Sequence, residues 1–436
     1  MYILKKDGNF IFRSTSANGK GFITPLATDA HLHFIALGEK LNSIDLEFKS
    51  LSEIKEAILL KLKEKPSKLI MRGWAEPDAE PTKKFLDEIN SEIPIMLVRR
   101  CGHIAVINSK TFEELNFEGF EKYIKFDTGR IVESSIHLFY EKFGVYTDIQ
   151  KNFEKVENYM LNLGYGFVHS DDLHGIKPEN LPYENTKIKV FEKVAIENYE
   201  DLVFKFSNGY FKNFNSVKMF LDGSFGGRTA YLKEKYSDAD TKGELLWSEE
   251  NLEKVLRFCE KNKFHLAMHA IGDGALDVIL NVFEKVKPIL THRVIHAALI
   301  QNYQLDIIQK HKLILDMQPT FIKSDIHILN KRLGDREKYS YRFKEISDRK
   351  IPYFISSDAP IERVCWWEYP EILAGHGISY KESLMKLFYA PEEIDGFSRE
   401  ASMEEYHLQY KNNPFENYEY PEKIFIKGNE KNFQSK

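Results

Sequence analysis

The chain has 436 residues, of which 43% are hydrophobic and 29% are charged, and its net charge is −5. This composition is that of a globular protein with a sizeable core, and so small a net charge gives no reason to expect a nucleic-acid or anionic-membrane partner. The cysteines are few, odd in number and far apart, which argues against a disulfide framework and against a cysteine zinc site. No stretch reaches the roughly 18 apolar residues of a membrane span. The N-terminus also lacks an apolar signal core, so we expect a cytoplasmic protein.

Taken in chain order, the sequence begins with a β-rich segment and then alternates between strands and helices. Residues 1–26 contain short alternating runs on either side of Asp7-Gly8, which predicts a β-ribbon with a hairpin turn. From about residue 27, short apolar runs alternate with amphipathic helices, a pattern typical of a parallel sheet covered by helices. Helices are predicted at 52–65, at 152–163, after Ser248 and after Asp273. Strands are predicted at 28–33, 68–71, 93–98, 166–169, 217–221, 265–269, 293–296, 313–317 and 353–357.

These nine strands are one more than an eight-stranded (β/α)8, or TIM, barrel needs. We therefore expect a barrel over residues 27–389 with an insertion somewhere within 65–150, and either 68–71 or 93–98 would belong to that insertion. The sequence does not say which of the two it is. Residues 390–436 return to a β-like tail, which is clearest at 423–428.

Polar residues close several of the predicted strands, at the ends where the active sites of βα barrels lie. The segment Asp29–Phe34 carries two histidines two residues apart, which a strand would place on one face. Each of these side chains alone has an ordinary structural explanation, such as a buried ion pair, a core histidine or a helix cap. Together the ordered set at successive strand ends is a pattern with few structural explanations. Its members are His31, His33, Lys218, His269, His296 and Asp358.

The surrounding segments are similar to a known family. They are Val217–Ser224 with Arg228-Thr229-Ala230, then His269–Asp273, Ser357–Pro360 and Arg99–Ser109. Over roughly residues 25–375 the chain resembles the amidohydrolase superfamily, whose members are metal-dependent hydrolases on a distorted (β/α)8 barrel. Within it the chain resembles amidohydrolase family 3, the YtcJ-like proteins.

The resemblance implies which residues hold metal. His31, His33 and Asp358 would hold one divalent ion and His269 and His296 a second, with a carboxylated Lys218 bridging them. A lysine reacts with carbon dioxide only as the neutral amine, which an apolar strand favours. A competing version keeps a single ion on His31, His33, His269 and Asp358 and leaves His296 to contact the substrate. The bridged pair is favoured, and these ligand types favour zinc or a similar divalent ion.

The same resemblance implies the chemistry. The metal would lower the pKa of its bound water towards about 7, so that a metal-bound hydroxide attacks the substrate carbonyl that the metal polarises. Asp358 would take the proton from the attacking water and pass it to the leaving amine. By family analogy we expect hydrolysis of a non-peptide carbon–nitrogen bond in a small molecule, such as an N-acyl or N-formyl amine. The alternatives are a lactonase or phosphoester hydrolase on the same metal centre, and a metal- or ligand-binding relative without turnover.

Five further residues are candidates for roles around this centre. His103, Arg228 and Trp74 could contact the substrate, and Asp222 and Asp273 could orient metal-bound histidines. A purely structural role is about equally open for each of the five. The remaining histidines that we considered are expected to be core or surface residues, and they are His169, His174, His265 and His292.

The chain also departs from the superfamily pattern at its ends. Superfamily members usually carry a β-sandwich assembled from both chain ends, and the short ends here predict a reduced sandwich from residues 1–26 and 390–436. The segment 24–28 replaces the Pro-Gly turn that usually precedes the paired histidines. Because every metal ligand is present, we expect the shortening to affect stability and assembly, including any homo-oligomer, more than catalysis.

Overall fold

The computed structural model describes residues 2–6, 9–13, 22–44, 46–75, 80–100, 104–132, 134–144, 148–173, 176–183, 186–397, 406–410, 423–426 and 429–431. The chain divides into two compact units. The first comprises Met1–Phe34, Glu157–Leu173 and Tyr183–Lys436, and the second comprises Ile35–Val156 and His174–Pro182. Within these described ranges, no helix combines the length and the apolar character that a membrane crossing requires.

The strands are β1 (Tyr2–Lys6), β2 (Asn9–Arg13), β3 (Phe22–Pro25), β4 (Ala27–Leu32), β5 (Leu69–Trp74), β6 (Ile95–Arg99), β7 (Ile104–Ile107), β8 (Ile124–Lys125), β9 (Arg130–Val132), β10 (Tyr165–Ser170), β11 (Lys189–Glu192), β12 (Val194–Ala195), β13 (Ser216–Phe220), β14 (His265–Ala270), β15 (Arg293–His296), β16 (Ile314–Met317), β17 (Tyr353–Ile355), β18 (Tyr406–Tyr410), β19 (Lys423–Ile426) and β20 (Asn429–Lys431).

The α-helices are α1 (Phe34–Asn42), α2 (Leu51–Leu62), α3 (Lys83–Ile89), α4 (Ser109–Glu114), α5 (Ser134–Phe143), α6 (Ile149–Asn162), α7 (Tyr199–Ser207), α8 (Glu249–Asn262), α9 (Asp273–Val286), α10 (Asn302–His311), α11 (Pro319–Leu333), α12 (Phe343–Asp348), α13 (Tyr369–Ala374), α14 (Tyr380–Phe388) and α15 (Glu392–Asp395).

Two parallel sheets of the first unit hold the strands that carry the predicted site. One has three strands in the order β11-β10-β4, and the other has six in the order β12-β13-β14-β15-β16-β17. A helix returns the chain between most neighbouring strands of the larger sheet, as parallel pairing requires. The structure thus confirms a mixed α/β fold. Both sheets are open, so the predicted closed eight-stranded barrel is not confirmed.

The strands and helices of this unit form where the sequence pattern favours them. Every residue of β10 is buried, as expected for a strand covered on both faces. Helix α8 begins after Ser248, whose side chain accepts a hydrogen bond from the backbone N–H of Asn251. Its buried stripe is the predicted one, formed by Leu252, Val255, Leu256 and Cys259.

The expected division of the nine predicted strands is wrong. Strands β5 and β6 correspond to the predictions at 68–71 and 93–98, and both lie in the second unit, in a separate five-stranded sheet of order β5-β6-β7-β9-β8. The strand that replaces them in the first unit is β11, which continues as β12 after Lys193. Glu192 and Lys193 are both buried, but as charged residues they interrupt the apolar pattern of this strand. The strand was therefore not predicted from the sequence.

The second unit has its own core around this five-stranded sheet. Apolar side chains of α2, β5 and β6 pack in one cluster, which includes Ile54, Leu69, Trp74 and Leu97. Helix α2 begins with a capping box between Ser50 and Glu53, which fixes its start. The unit begins at Ile35, earlier than the predicted insertion at 65–150.

Strands from both ends of the chain pair in one sheet, in the order β2-β1-β3-β18-β19-β20. Strands β1 and β2 pair antiparallel, and the predicted turn at Asp7-Gly8 between them lies outside the described residues. Strand β3 pairs antiparallel with β18. Of the strand predicted at 423–428, residues 423–426 form β19, and 427–428 lie outside the described residues. A complete sandwich stays a prediction.

Candidate metal centre

The paired histidines lie where β4 ends, and their rings meet one carboxylate. His31 is the fifth residue of the fully buried strand β4, and His33 follows its last residue. The Nε2 atom of His31 lies 3.1 Å from Oδ1 of Asp358, and Nε2 of His33 lies 3.5 Å from the same oxygen. One oxygen of Asp358 therefore lies beside an imidazole nitrogen of each of the two histidines.

Asp358 is held against β4 by the backbone. Its N–H donates to the carbonyl of His31 at 2.8 Å, and the N–H of His33 donates to the carbonyl of Ala359 at 2.7 Å. Asp358 has a left-handed backbone with φ of 60°. This conformation is uncommon for a residue other than glycine, although Asp adopts it more readily than most. The segment after β17 thus supplies a carboxylate to histidines more than 300 positions earlier in the chain.

His269 and His296 come from the ends of β14 and β15, and their ring centroids are 4.5 Å apart. The Nδ1 atom of His296 lies 2.8 Å from Oε1 of Gln318, whose amide nitrogen donates to the carbonyl of Asp316 and to Ser356. These two donations fix the amide so that its oxygen accepts from Nδ1, which leaves Nε2 of His296 as the nitrogen able to bind an ion. Donor atoms of His31, His296 and Asp358 all lie within 4.8 Å of one another.

Lys218 is buried in the middle of β13 and pairs with a carboxylate that the sequence analysis did not select. Its Nζ contacts Oδ2 of Asp171, a fully buried residue just after β10, and lies 4.2 Å from the centroid of the Phe220 ring. The other oxygen of Asp171 lies 2.9 Å from Nδ1 of His33. Donor atoms of His31, His33 and Asp171 form a second group within 4.8 Å.

Burial and the neighbouring charges set the protonation of these groups. Burial, together with the charge of Lys218, lowers the pKa of His269 to about 3, and it lowers the pKa values of His31 and His296 well below the usual range. Burial also opposes charge on His33, but the Asp171 and Asp358 carboxylates outweigh it and raise the pKa of His33 to about 10.

This donor set fits a divalent cation. Three of the imidazoles are neutral, as metal ligands must be, and the fourth binds a proton beside two carboxylates, where a metal ion would take its place. Nitrogen and oxygen donors of this kind suit zinc and similar divalent ions. The structure therefore places the predicted ligand residues near one another: Asp358 lies beside His31 and His33, and the rings of His269 and His296 are adjacent. Lys218 is joined to this group through Asp171, which also faces His33.

Lys193 is a second buried lysine beside these histidines, and it was not predicted. It lies between β11 and β12, with Nζ 3.3 Å from Nδ1 of His31 and donating to the carbonyl of His169 at 3.2 Å. Burial lowers the pKa of Lys193 to about 7. The lysine fills the side of the His31 ring that faces away from Asp358.

The two aspartates predicted to orient histidines have different surroundings. Asp222 accepts hydrogen bonds from the backbone N–H groups of Tyr231, Ile271 and Gly272, and its Oδ1 lies 3.4 Å from Nε2 of His269. Burial outweighs these hydrogen bonds and raises the pKa of Asp222 to about 7. Asp273 accepts instead from the N–H of Lys233 and from the side chain of Gln301, neither of which is a candidate ligand.

Two of the three predicted substrate contacts, Trp74 and Arg228, receive no support from their positions. Trp74 is a core side chain of the second unit, 3% exposed, and its indole N–H donates to the carbonyl of Leu97. Arg228 forms a bidentate ion pair with Asp238, in which its Nε donates to Oδ1 at 3.1 Å and its Nη2 donates to Oδ2 at 2.9 Å. His103 lies outside the described residues.

The other histidines are mostly structural, as predicted. His169 is buried between Arg293 and Asp395, at 2.9 and 2.8 Å. His292 accepts from the N–H of Leu266 and lies 2.9 Å from Glu260, and His265 lies 2.8 Å from the carbonyl of Thr291. His174 lies outside the described residues.

Sequence reasoning missed Asp171, Lys193 and Gln318. A signal existed for Asp171, because Ser170-Asp171-Asp172 closes β10 much as Ser356-Ser357-Asp358 closes β17. Lys193 carried no such signal, since its strand was not recognised. Gln318 follows β16 directly, but a glutamine at a strand end is too ordinary to stand out.

Comparison with known proteins agrees with this geometry. Residues 17–377 match the amidohydrolase family. The chain is 31% identical to the putative amidohydrolase YtcJ of Bacillus subtilis over 392 residues, which cover 80% of this chain and 72% of that protein. It is also similar to crystal structures of uncharacterized metal-dependent hydrolases from Pyrococcus furiosus and Pyrococcus horikoshii. Each of these has 27% identity and a TM-score of 0.75 over 91% of this chain, and over 88% and 87% of the respective structures. The chain belongs to the amidohydrolase family.

Proposed function

We propose that this metal-dependent hydrolase cleaves a non-peptide carbon–nitrogen bond, such as an N-acyl or N-formyl amine, in a small-molecule substrate. The observation that carries the proposal is the convergence of His31, His33 and Asp358, with the Asp358 oxygen 3.1 Å from one imidazole nitrogen and 3.5 Å from another.

The residues of the candidate metal centre would have distinct roles in the proposed reaction. A divalent ion bound here would lower the pKa of a water and polarise the substrate carbonyl. Asp358 would accept a proton from the attacking water at its carboxylate and deliver it to the leaving amine. Its backbone hydrogen bond to His31 keeps that carboxylate in place. Imidazole rings buried beside it exclude bulk water, which strengthens each electrostatic interaction inside the site.

The proposal also concerns the fold of the first unit, which would work as a barrel. The two open sheets of the first unit approach each other at two places. Lys193 alone separates β11 from β12, and backbone hydrogen bonds connect His31 and His33 to the residues that follow β17. We infer that the two sheets act as one distorted (β/α)8 barrel, with the candidate ligands at one end of its strands.

The number of ions depends on Lys218. With two ions, His31, His33 and Asp358 would hold one, His269 and His296 the other, and a carboxylated Lys218 would bridge them. With one ion, Lys218 would remain an amine beside Asp171. Metal analysis and peptide mass analysis under mild conditions separate these versions. Two ions and the added mass of one carbon dioxide at Lys218 support the bridged pair, and one ion with an unmodified lysine contradicts it.

The reaction is tested by replacing Asp358. We expect Asp358→Asn to lower kcat by about 100- to 10,000-fold, the usual contribution of a positioned acid or base, while metal remains bound. The matched control is Asp306→Asn, which removes a surface carboxylate with 68% side-chain exposure and should keep full activity. Unchanged rates in Asp358→Asn would refute the proposed role.

A substrate panel tests the bond type. Amides, lactones and phosphoesters should be assayed on zinc-loaded protein, and we expect turnover of amides that Asp358→Asn abolishes. Preference for lactones or phosphoesters would replace the proposed reaction by one of those hydrolyses. Absence of turnover across the panel with metal bound would favour a binding protein.

A further inference from the structure

Both nitrogens of the His33 ring face carboxylates, and the two carboxylates have different positions in the fold. On one side, Nε2 lies 3.5 Å from Oδ1 of Asp358, the oxygen that also meets His31. On the other side, Nδ1 lies 2.9 Å from Oδ1 of Asp171. An ion shared by His31, His33 and Asp358 would therefore bind Nε2 of His33, and Nδ1 would carry the proton.

We propose that Asp171 is a positioning residue of the metal centre, which accepts the Nδ1 proton of His33 and so fixes the ring with Nε2 facing the ion. The inference rests on the proposed function for the presence of a metal. It adds a residue that lies outside the predicted ligand set. It also gives the Asp171 carboxylate a role at the metal centre, in addition to its part in a buried ion pair.

The register of the sheet explains why this residue meets that ring. Strands β10 and β4 run parallel, with Val168 opposite Asp29 and Ser170 opposite Leu32. The next residue on each strand is Asp171 on one side and His33 on the other. After a register shift between Val168 and Ser170, a carboxylate at this position therefore follows β10 where the second histidine follows β4.

In the version with an unmodified Lys218, this lysine also fixes the carboxylate itself, whereas a carboxylated Lys218 would be negatively charged and would not make this contact. Its Nζ contacts Oδ2 of Asp171, the oxygen that does not face His33. Both residues are fully buried, so water does not compete for either oxygen. One carboxylate oxygen is therefore held by β13 while the other is presented to the His33 ring, which makes the position of the ring depend on Asp171.

Partners of this kind orient metal-bound histidines, and their loss costs about 10- to 100-fold in metal affinity. The test is Co²⁺ binding, followed by its visible absorption spectrum and by competition with a chelator, in wild type and in two variants. We expect Asp171→Asn, which keeps one oxygen acceptor, to bind Co²⁺ about 10-fold more weakly. Asp171→Ala removes both oxygens and should lose about 100-fold, with an altered spectrum.

The matched control is Asp172→Asn, a buried carboxylate at the same strand end whose side chain meets Ser170 instead of a histidine. It should keep wild-type affinity and spectrum. Wild-type affinity and spectrum in both Asp171 variants would overturn the proposal, and so would an equal loss in the Asp172 control. If Asp171→Ala fails to fold, as judged by circular dichroism, the Asn variant alone decides.

Because this readout needs no turnover, it is separate from the test of the reaction. A wild-type protein that binds Co²⁺ but hydrolyses nothing would remove the proposed function and leave the role of Asp171 standing. A wild-type protein that binds no Co²⁺ would overturn both.

Discussion

At the scale of single residues, buried charges beside the candidate metal centre are arranged as a connected network. Arg293 is fully enclosed at the start of β15, and its guanidinium lies 3.3 Å from Asp316 and 2.9 Å from Nδ1 of His169. It also donates to the carbonyl of Ala30, next to the first candidate ligand. The network supports the strands from which the ligands extend.

Removing this arginine should therefore destabilise the protein strongly. We expect Arg293→Met to lower the free energy of unfolding by about 3–5 kcal/mol, because the buried Asp316 carboxylate loses its cation. Equilibrium unfolding in urea measures the change. Arg349→Met is the control, since it breaks a surface pair with Asp306 and should cost less than about 1 kcal/mol. Similar losses in the two variants would contradict the argument.

Residues at this scale also show what the sequence could predict. Histidines and carboxylates at strand ends were identified because their types and positions are those of metal ligands. Lys193 was not, because a charged residue is normally exposed and its strand was not recognised. Asp171 was overlooked although Ser170-Asp171-Asp172 closes β10 much as Ser356-Ser357-Asp358 closes β17. For Trp74 a pocket wall and a core position were equally open, because an aromatic side chain suits both, and the side chain packs in the core of the second unit.

At the scale of secondary-structure elements, the end of α8 is tied to the start of β15 by one carboxylate. Glu260 accepts from the backbone N–H groups of Ile289 and Leu290, and it lies 2.9 Å from Nε2 of His292. His292 accepts at Nδ1 from Leu266, so Nε2 carries the proton that it donates to Glu260. Burial opposes the charge on Glu260, but these three donors outweigh it and lower its pKa to about 2.

This contact predicts how stability depends on pH. Because the folded-state pKa of Glu260 is depressed, its contribution is fully present above the unfolded value of about 4.5 and is lost as pH falls towards 2. We expect wild type to lose more stability than Glu260→Gln between pH 4.5 and pH 2, as measured by thermal melting across that range. Parallel melting curves for the two proteins would contradict the assignment.

Elements were predicted well where their pattern is strong and poorly where it is interrupted. Helices α8 and α9 and the strands β13–β17 have clear apolar stripes or runs, and all were expected near their observed positions. The strand β11 was missed because Glu192 and Lys193 break its apolar run. The expected closed barrel rested on the number of strands and on the resemblance, and the structure instead has two open sheets. Whether a sheet closes depends on hydrogen bonds between distant strands, which leave no local pattern in the sequence.

At the scale of the whole molecule, the candidate centre gathers residues that lie far apart in the chain. Its ligands come from positions 31 to 358 and from the ends of several strands of the first unit. An ion held by such residues binds the folded state only, because the unfolded chain does not bring them together. Metal binding should therefore stabilise the fold by mass action.

Metal should accordingly raise the unfolding temperature, and its removal should lower it. At a free Zn²⁺ concentration about 100 times the Kd, we expect the free energy of unfolding to rise by about 2.7 kcal/mol. Thermal melting at increasing Zn²⁺ measures this, and a chelator should reverse it. We expect Zn²⁺ to stabilise the His31→Asn variant much less than it stabilises wild type. Equal stabilisation of the two proteins would mean that the ion binds elsewhere.

The left-handed backbone of two candidate site residues has a consequence for how this protein can change. His296 and Asp358 have φ values of 75° and 60°, conformations that cost an ordinary residue on the order of 1–3 kcal/mol. Glycine would adopt either without that cost. Selection for stability alone would therefore favour glycine in place of two side chains that the proposed reaction requires. Their presence in this chain is best understood as conformational energy retained for the sake of activity.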